Sequence, residues 1–94
     1  MTKHIALDFD GTTFTDPQSN YLAIGEPKWD VINAIKKEIE AGAEVYLWTL
    51  RSGQALQDAF EALQKVGLNI KNYIANKPNV DEFWDDRLRH PNDF

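Results

Sequence analysis

Apolar runs alternate with amphipathic stretches along this chain. Residues 4–9 are nearly all apolar, as in a strand buried on both faces. From 27 to 41, Trp29, Ile32, Ile35 and Ile39 recur at near-helical spacing, which predicts a helix with one buried face. Pro27 suits its first turn and Gly42 ends it. Residues 44–50 read as a second strand. Ser52 is positioned to cap a second helix running to Val66, with an apolar stripe of Leu56, Ala59, Phe60, Leu63 and Val66, closed by Gly67. Short strands follow at 72–75 and 82–85, while 87–94 is polar and carries no clear element. Between the first strand and first helix, 11–25 mixes Thr, Asp, Pro, Ser, Asn and Gly, which predicts irregular structure or a small hairpin. Strands alternating with helices predict an α/β fold, a small three-layer, Rossmann-like parallel sheet.

That reading places chemistry at one edge of the molecule. In an open parallel sheet, ligands sit beyond the carboxyl ends of the strands. Asp8 and Asp10 follow the first strand, Thr49 ends the second, Lys77 follows the third, and Asp85 and Asp86 end the fourth. Carboxylates at the mouth of a buried strand are costly unless they bind a cation or do chemistry. Asp-x-Asp-Gly also opens calcium loops, but the further acidic ligands and late Glu of an EF-hand are missing.

The segments Asp8-Phe9-Asp10-Gly11-Thr12, Thr49, Lys77 and Asp85-Asp86, in that order, resemble the four motifs of the haloacid dehalogenase superfamily, most of whose members are magnesium-dependent phosphatases. Ile24-Gly25-Glu26-Pro27, Leu47-Trp48-Thr49-Leu50-Arg51 and Lys77-Pro78 leading to Asp85-Asp86-Arg87 are similar to its small, capless bacterial and phage members. The resemblance implies that Asp8 is the nucleophile, forming an aspartyl-phosphate, and Asp10 the general acid and base. It implies Lys77 and Mg²⁺ as the cations that offset charge on the phosphoryl oxygens. Asp8, Asp85 and Asp86, with the backbone carbonyl of Asp10, are the implied metal ligands. Gly11, Thr49, Leu50 and Arg51 join Lys77 around the substrate phosphate, near the free N–H groups of the helix after Ser52. For Arg51 an ion pair at the start of that helix is an equal alternative to a phosphate contact. Haloacid dehalogenases themselves lack an Asp at the position of Asp10, and phosphate-transferring ion pumps carry Thr there, so Asp10 points to a phosphatase or phosphomutase. A receiver domain shares Asp, Thr and Lys, but in a different order along the chain.

Length and composition narrow the partners. Ninety-four residues make one domain, 1–94, with 43% hydrophobic residues to build a small core. Neither 11–25 nor 76–80 has room for an inserted cap domain, so the site is open and the core abbreviated, with no fifth strand after Asp86. The substrate class is a phosphorylated small molecule or a phosphate exposed on a macromolecule. A net charge of −5 argues against free-standing nucleic-acid binding and against an anionic membrane surface. There is no Cys, which removes disulfides and thiol nucleophiles. No transmembrane or signal-like segment is present, which makes a cytoplasmic protein the expectation. The rival to an enzyme is a non-catalytic module that keeps the metal and phosphate cradle as a regulatory or scaffolding surface. A sheet that stops at a fourth short strand carrying Phe83 and Trp84 would leave an open edge, which predicts a homo-oligomer unless the 87–94 tail folds back over it.

Overall fold

Strand pairing follows the apolar runs. In the computed structural model, which describes residues 2–17, 23–74 and 79–85 and the backbone of 88–91, the chain runs β1 (His4–Leu7), α1 (Trp29–Glu40), β2 (Glu44–Trp48), α2 (Gly53–Lys65), β3 (Asn72–Ile74), β4 (Glu82–Asp85) and β5 (Leu88–Pro91). The sheet order is β3-β2-β1-β4-β5. The first four strands are mutually parallel, giving the expected Rossmann-like α/β core. Leu7 is in register with Leu47 on one side and with Trp84 on the other.

Layering departs from expectation. The step from β1 to β2 to β3 moves one way across the sheet, and right-handed crossovers then put both helices on one face. There Ile5, Leu7, Val45, Leu47 and Trp84 pack with Ile32 and Ile35 of α1 and with Ala59 and Leu63 of α2. On the opposite face Ala6, Val80 and Phe83 cluster with Tyr46 and Trp48. The return from Ile74 to Glu82 leaves only 75–81, too short for a covering helix. Its described part brings Val80 onto that face instead, so the helices of the described residues form a single layer.

The fourth strand is not the last. β5 pairs antiparallel with β4, Phe83 facing His90 and Trp84 facing Arg89 across the ladder. A segment with one Leu and a Pro has no strand signature of its own; the unpaired edge of β4 supplies its partners. Trp84 is buried on the helix side and Phe83 on the other, where it meets the Trp48 ring at 4.9 Å. β5 thus covers the edge of β4, and both rings expected at that edge are buried.

Two helix predictions also shift. The capping position of α1 is Lys28, so Pro27 precedes the helix. Ile32 and Ile35 are buried as expected, but Trp29 is 50% and Ile39 38% exposed. Both lie in the end turns of α1. Trp29 instead lies beneath the Lys36 ammonium, 5.6 Å from its ring centre.

Lys3 ties the helix layer to the sheet. Its ammonium sits 3.0 Å from Glu82 and 3.1 Å from Glu38. Hydrogen bonding to Glu82, aided by Glu38, holds Lys3 above its ordinary pKa, against a partial opposing effect of burial.

Candidate functional site

The carboxyl ends of β1 and β2 open into a cleft of about 470 Å³ lined by Asp8, Asp10, Thr49, Leu50, Arg51, Ser52 and Ala55. The sheet therefore brings together the acidic pair after its first strand and the Thr after its second.

A tight turn holds the acidic pair. The Phe9 carbonyl accepts N–H groups from Thr12, Thr13 and Phe14 at 3.3, 3.1 and 3.2 Å. Gly11 lies inside that turn at φ 83°, a conformation side chains resist. Its N–H reaches the Phe14 carbonyl at 2.7 Å. Phe9 is fully buried and stacks on Phe14 at 4.9 Å, so the residue between the two carboxylates anchors them to the core. Asp8 Oδ1 accepts the Phe9 N–H at 2.9 Å, Oδ2 lies 3.4 Å from the Thr12 hydroxyl, and the Thr13 hydroxyl donates to the Asp8 carbonyl at 2.8 Å.

The expected small hairpin is formed by residues on either side of 18–22. Thr15 N–H donates to the Glu26 carbonyl and Lys28 N–H to the Thr13 carbonyl, each at 2.8 Å. Gly25 makes the close approach possible: a Cβ there would meet the Thr15 carbonyl oxygen at 2.0 Å. Gly25→Ala is expected to cost about 1–3 kcal/mol, read as a lower urea midpoint with unchanged slope. A midpoint equal to wild type would mean that the hairpin is not rigid. Lys28 adds a contact from its ammonium to the Gly11 carbonyl at 3.2 Å.

Arg51 is the site's most connected side chain. Its Nε and one terminal nitrogen bind the two carboxylate oxygens of Asp10, both at 2.8 Å. The same terminal nitrogen reaches the Ala23 carbonyl at 2.6 Å, and the other reaches the Ala55 carbonyl at 3.4 Å. The guanidinium carbon lies 5.1 Å from the Phe9 ring centre. The ion pair, one of the two alternatives expected for Arg51, is formed with Asp10. The pair joins residues 41 apart in sequence, and the crossover through α1 and β2 brings them together.

Thr49 is buried, and its hydroxyl accepts the Arg51 N–H at 3.2 Å. Ser52 occupies the capping position of α2 as expected, but its side chain makes no capping bond. The first turn of α2 thus meets the cleft without a side-chain cap, leaving N–H groups suited to an anion.

Asp85 follows Trp84 at the carboxyl end of β4, and the Leu7–Trp84 register places it beside Asp8. The Asp8 N–H donates to the Trp84 carbonyl at 2.9 Å. Acidic residues at two adjacent strand ends are of the type a hard cation takes together with carbonyls and waters. Among the described residues, no three His, Asp or Glu side chains gather as a metal site. Lys77 and Asp86 lie outside the described residues.

Among the described residues, no helix is long and apolar enough to cross a membrane. No protein-family profile matches this chain, and no curated protein matches it. The fold is similar to that of a solved structure, a conserved protein coded by a locus from Bacteroides thetaiotaomicron. The TM-score is 0.80 at 28% sequence identity, covering 93% of this chain and 78% of that one.

Proposed function

We propose that this chain is a capless, magnesium-dependent phosphomonoester hydrolase of the haloacid dehalogenase type. The observation that carries the reading is the convergence of Asp8, Asp10, Thr49 and the uncapped start of α2 on one cleft at the carboxyl ends of parallel strands. Bound Mg²⁺, held by Asp8 and Asp85 with Asp86 in reach by sequence, would offset negative charge on the phosphoryl group.

The chain's own residues then divide the work. A carboxylate oxygen of Asp8 attacks phosphorus, and the bond from phosphorus to the ester oxygen breaks. The departing oxygen takes a proton from Asp10. Water next attacks the aspartyl-phosphate, gives its proton to Asp10, and releases inorganic phosphate with Asp8 restored. Thr49 and the first turn of α2 hold the phosphoryl oxygens, and Lys77 supplies a positive charge.

Asp10 enters this scheme under a constraint. Both of its oxygens accept from Arg51. Proton transfer at Asp10, in either step, therefore requires it to loosen an Arg51 contact. The same ion pair favours a second reading, in which the cleft binds metal and phosphate as a regulatory surface without turnover. Release of phosphate from a panel of small phosphomonoesters, with and without Mg²⁺, separates the two. Magnesium-dependent release is expected, and its absence across the panel would leave the binding module.

Magnesium should also act on stability. Carboxylates crowded at one edge repel, and a cation that binds only the folded chain stabilises it by mass action. At a hundredfold excess over its dissociation constant the gain is about 2.7 kcal/mol. A melting temperature indifferent to Mg²⁺ would remove the metal from the proposal.

A further inference from the structure

The floor and the lip of the cleft differ in chemistry. Asp8, Asp10 and Thr49 make the floor polar, while Leu50, a fully exposed residue, lines the mouth. Its neighbours Thr49 and Arg51 are both buried, so the chain turns one apolar side chain outward between two inward ones. Tyr73, 38% exposed, comes to the same rim from β3: its hydroxyl lies 3.4 Å from the Thr49 carbonyl, whose carbon is bonded to the Leu50 nitrogen. Ala55 adds a small apolar wall from α2. Among the described residues, the cation that lines this cleft is Arg51, and its guanidinium is engaged by Asp10 and two carbonyls.

Resting on the phosphohydrolase reading of the floor, we infer that Leu50 and Tyr73 form a specificity lip, and that the substrate is a phosphomonoester whose alcohol carries an apolar ring. The phosphate would enter the polar floor while the ring covers Leu50 and reaches the Tyr73 edge, removing apolar surface from water on both sides. Leu50 itself offers a polyhydroxylated alcohol no hydrogen bond, and a polyphosphorylated chain would meet a protein of net charge −5.

Binding, rather than turnover, tests this. Dissociation constants for 2-phenylethylphosphonate and 2-hydroxyethylphosphonate are measured by calorimetry with Mg²⁺ on the full chain, for wild type, Leu50→Ser and Leu50→Met. The two ligands share the phosphonate and differ in the group presented to the lip. Wild type is expected to bind the phenyl ligand about fivefold more tightly. The ratio should approach one in Leu50→Ser and recover in Leu50→Met. Equal constants in wild type, a preference that survives Leu50→Ser, or no binding of either ligand would each overturn the inference. Because phosphate release is not read, a chain that binds in the expected order without hydrolysing esters keeps the lip and loses the enzyme. A chain that hydrolyses esters but binds the two phosphonates equally does the reverse.

Discussion

Asp8→Asn is expected to abolish phosphate release, by on the order of 10⁴-fold or more, while the melting temperature stays near that of wild type. The amide oxygen can still accept the Phe9 N–H, which Asp8 Oδ1 takes at 2.9 Å. The amide nitrogen can face the Thr12 hydroxyl, which is able to accept as well as donate. The turn beneath is untouched, because the Thr13 hydroxyl and the N–H groups of Thr12, Thr13 and Phe14 bind backbone carbonyls. What is lost is a nucleophile, since an amide does not attack phosphorus. Removing a negative charge beside Asp85 should also relieve repulsion, so the variant should melt no lower than wild type in the absence of Mg²⁺. Phosphate release by Asp8→Asn comparable to wild type would refute covalent catalysis at this residue. A variant that unfolds would show that Asp8 is held for the fold instead.

The parts of this molecule that the sequence made legible are those governed by local rules. An apolar run ending in Asp8, and another ending in Thr49, identify two buried parallel strands and the edge at which the cleft opens. The polar residues of 11–25 left irregular structure and a small hairpin open, and the antiparallel Thr15–Glu26 pairing favours the second. What was not legible depends on partners distant in sequence. β5 exists because β4 offers an edge, and nothing in the composition of Leu88–Pro91 announces a strand. That the helices of the described residues share one face follows from strand order, and strand order is invisible to periodicity. Trp29 has helical spacing yet is 50% exposed, so its pattern and its burial disagree. The partner of Arg51 was ambiguous for the same reason: a carboxylate 41 residues away and a substrate phosphate ask for the same guanidinium.

The Arg51 pairing carries the second large expected effect. Arg51→Met retains the length and apolar stem of the side chain but removes its charge and donors. Asp10 then loses partners on both oxygens, and the Ala23 and Ala55 carbonyls lose theirs. Breaking a buried pair from one side costs about 3–5 kcal/mol. The low end is expected here, because Asp10 is 29% exposed and water can replace part of what the guanidinium gave. For a domain of this size about 3 kcal/mol corresponds to a melting temperature lower by more than about 10 °C. Arg51→Lys should fall between, because an ammonium keeps the charge but cannot bind both carboxylate oxygens in the plane of a fork. Adding Asp10→Asn to Arg51→Met should recover part of the loss, since the uncompensated carboxylate is then gone. That recovery separates the ion pair from the packing of the arginine stem on Phe9. Were Arg51→Met to melt within about 2 °C of wild type, the guanidinium would not be what joins the acidic turn to α2.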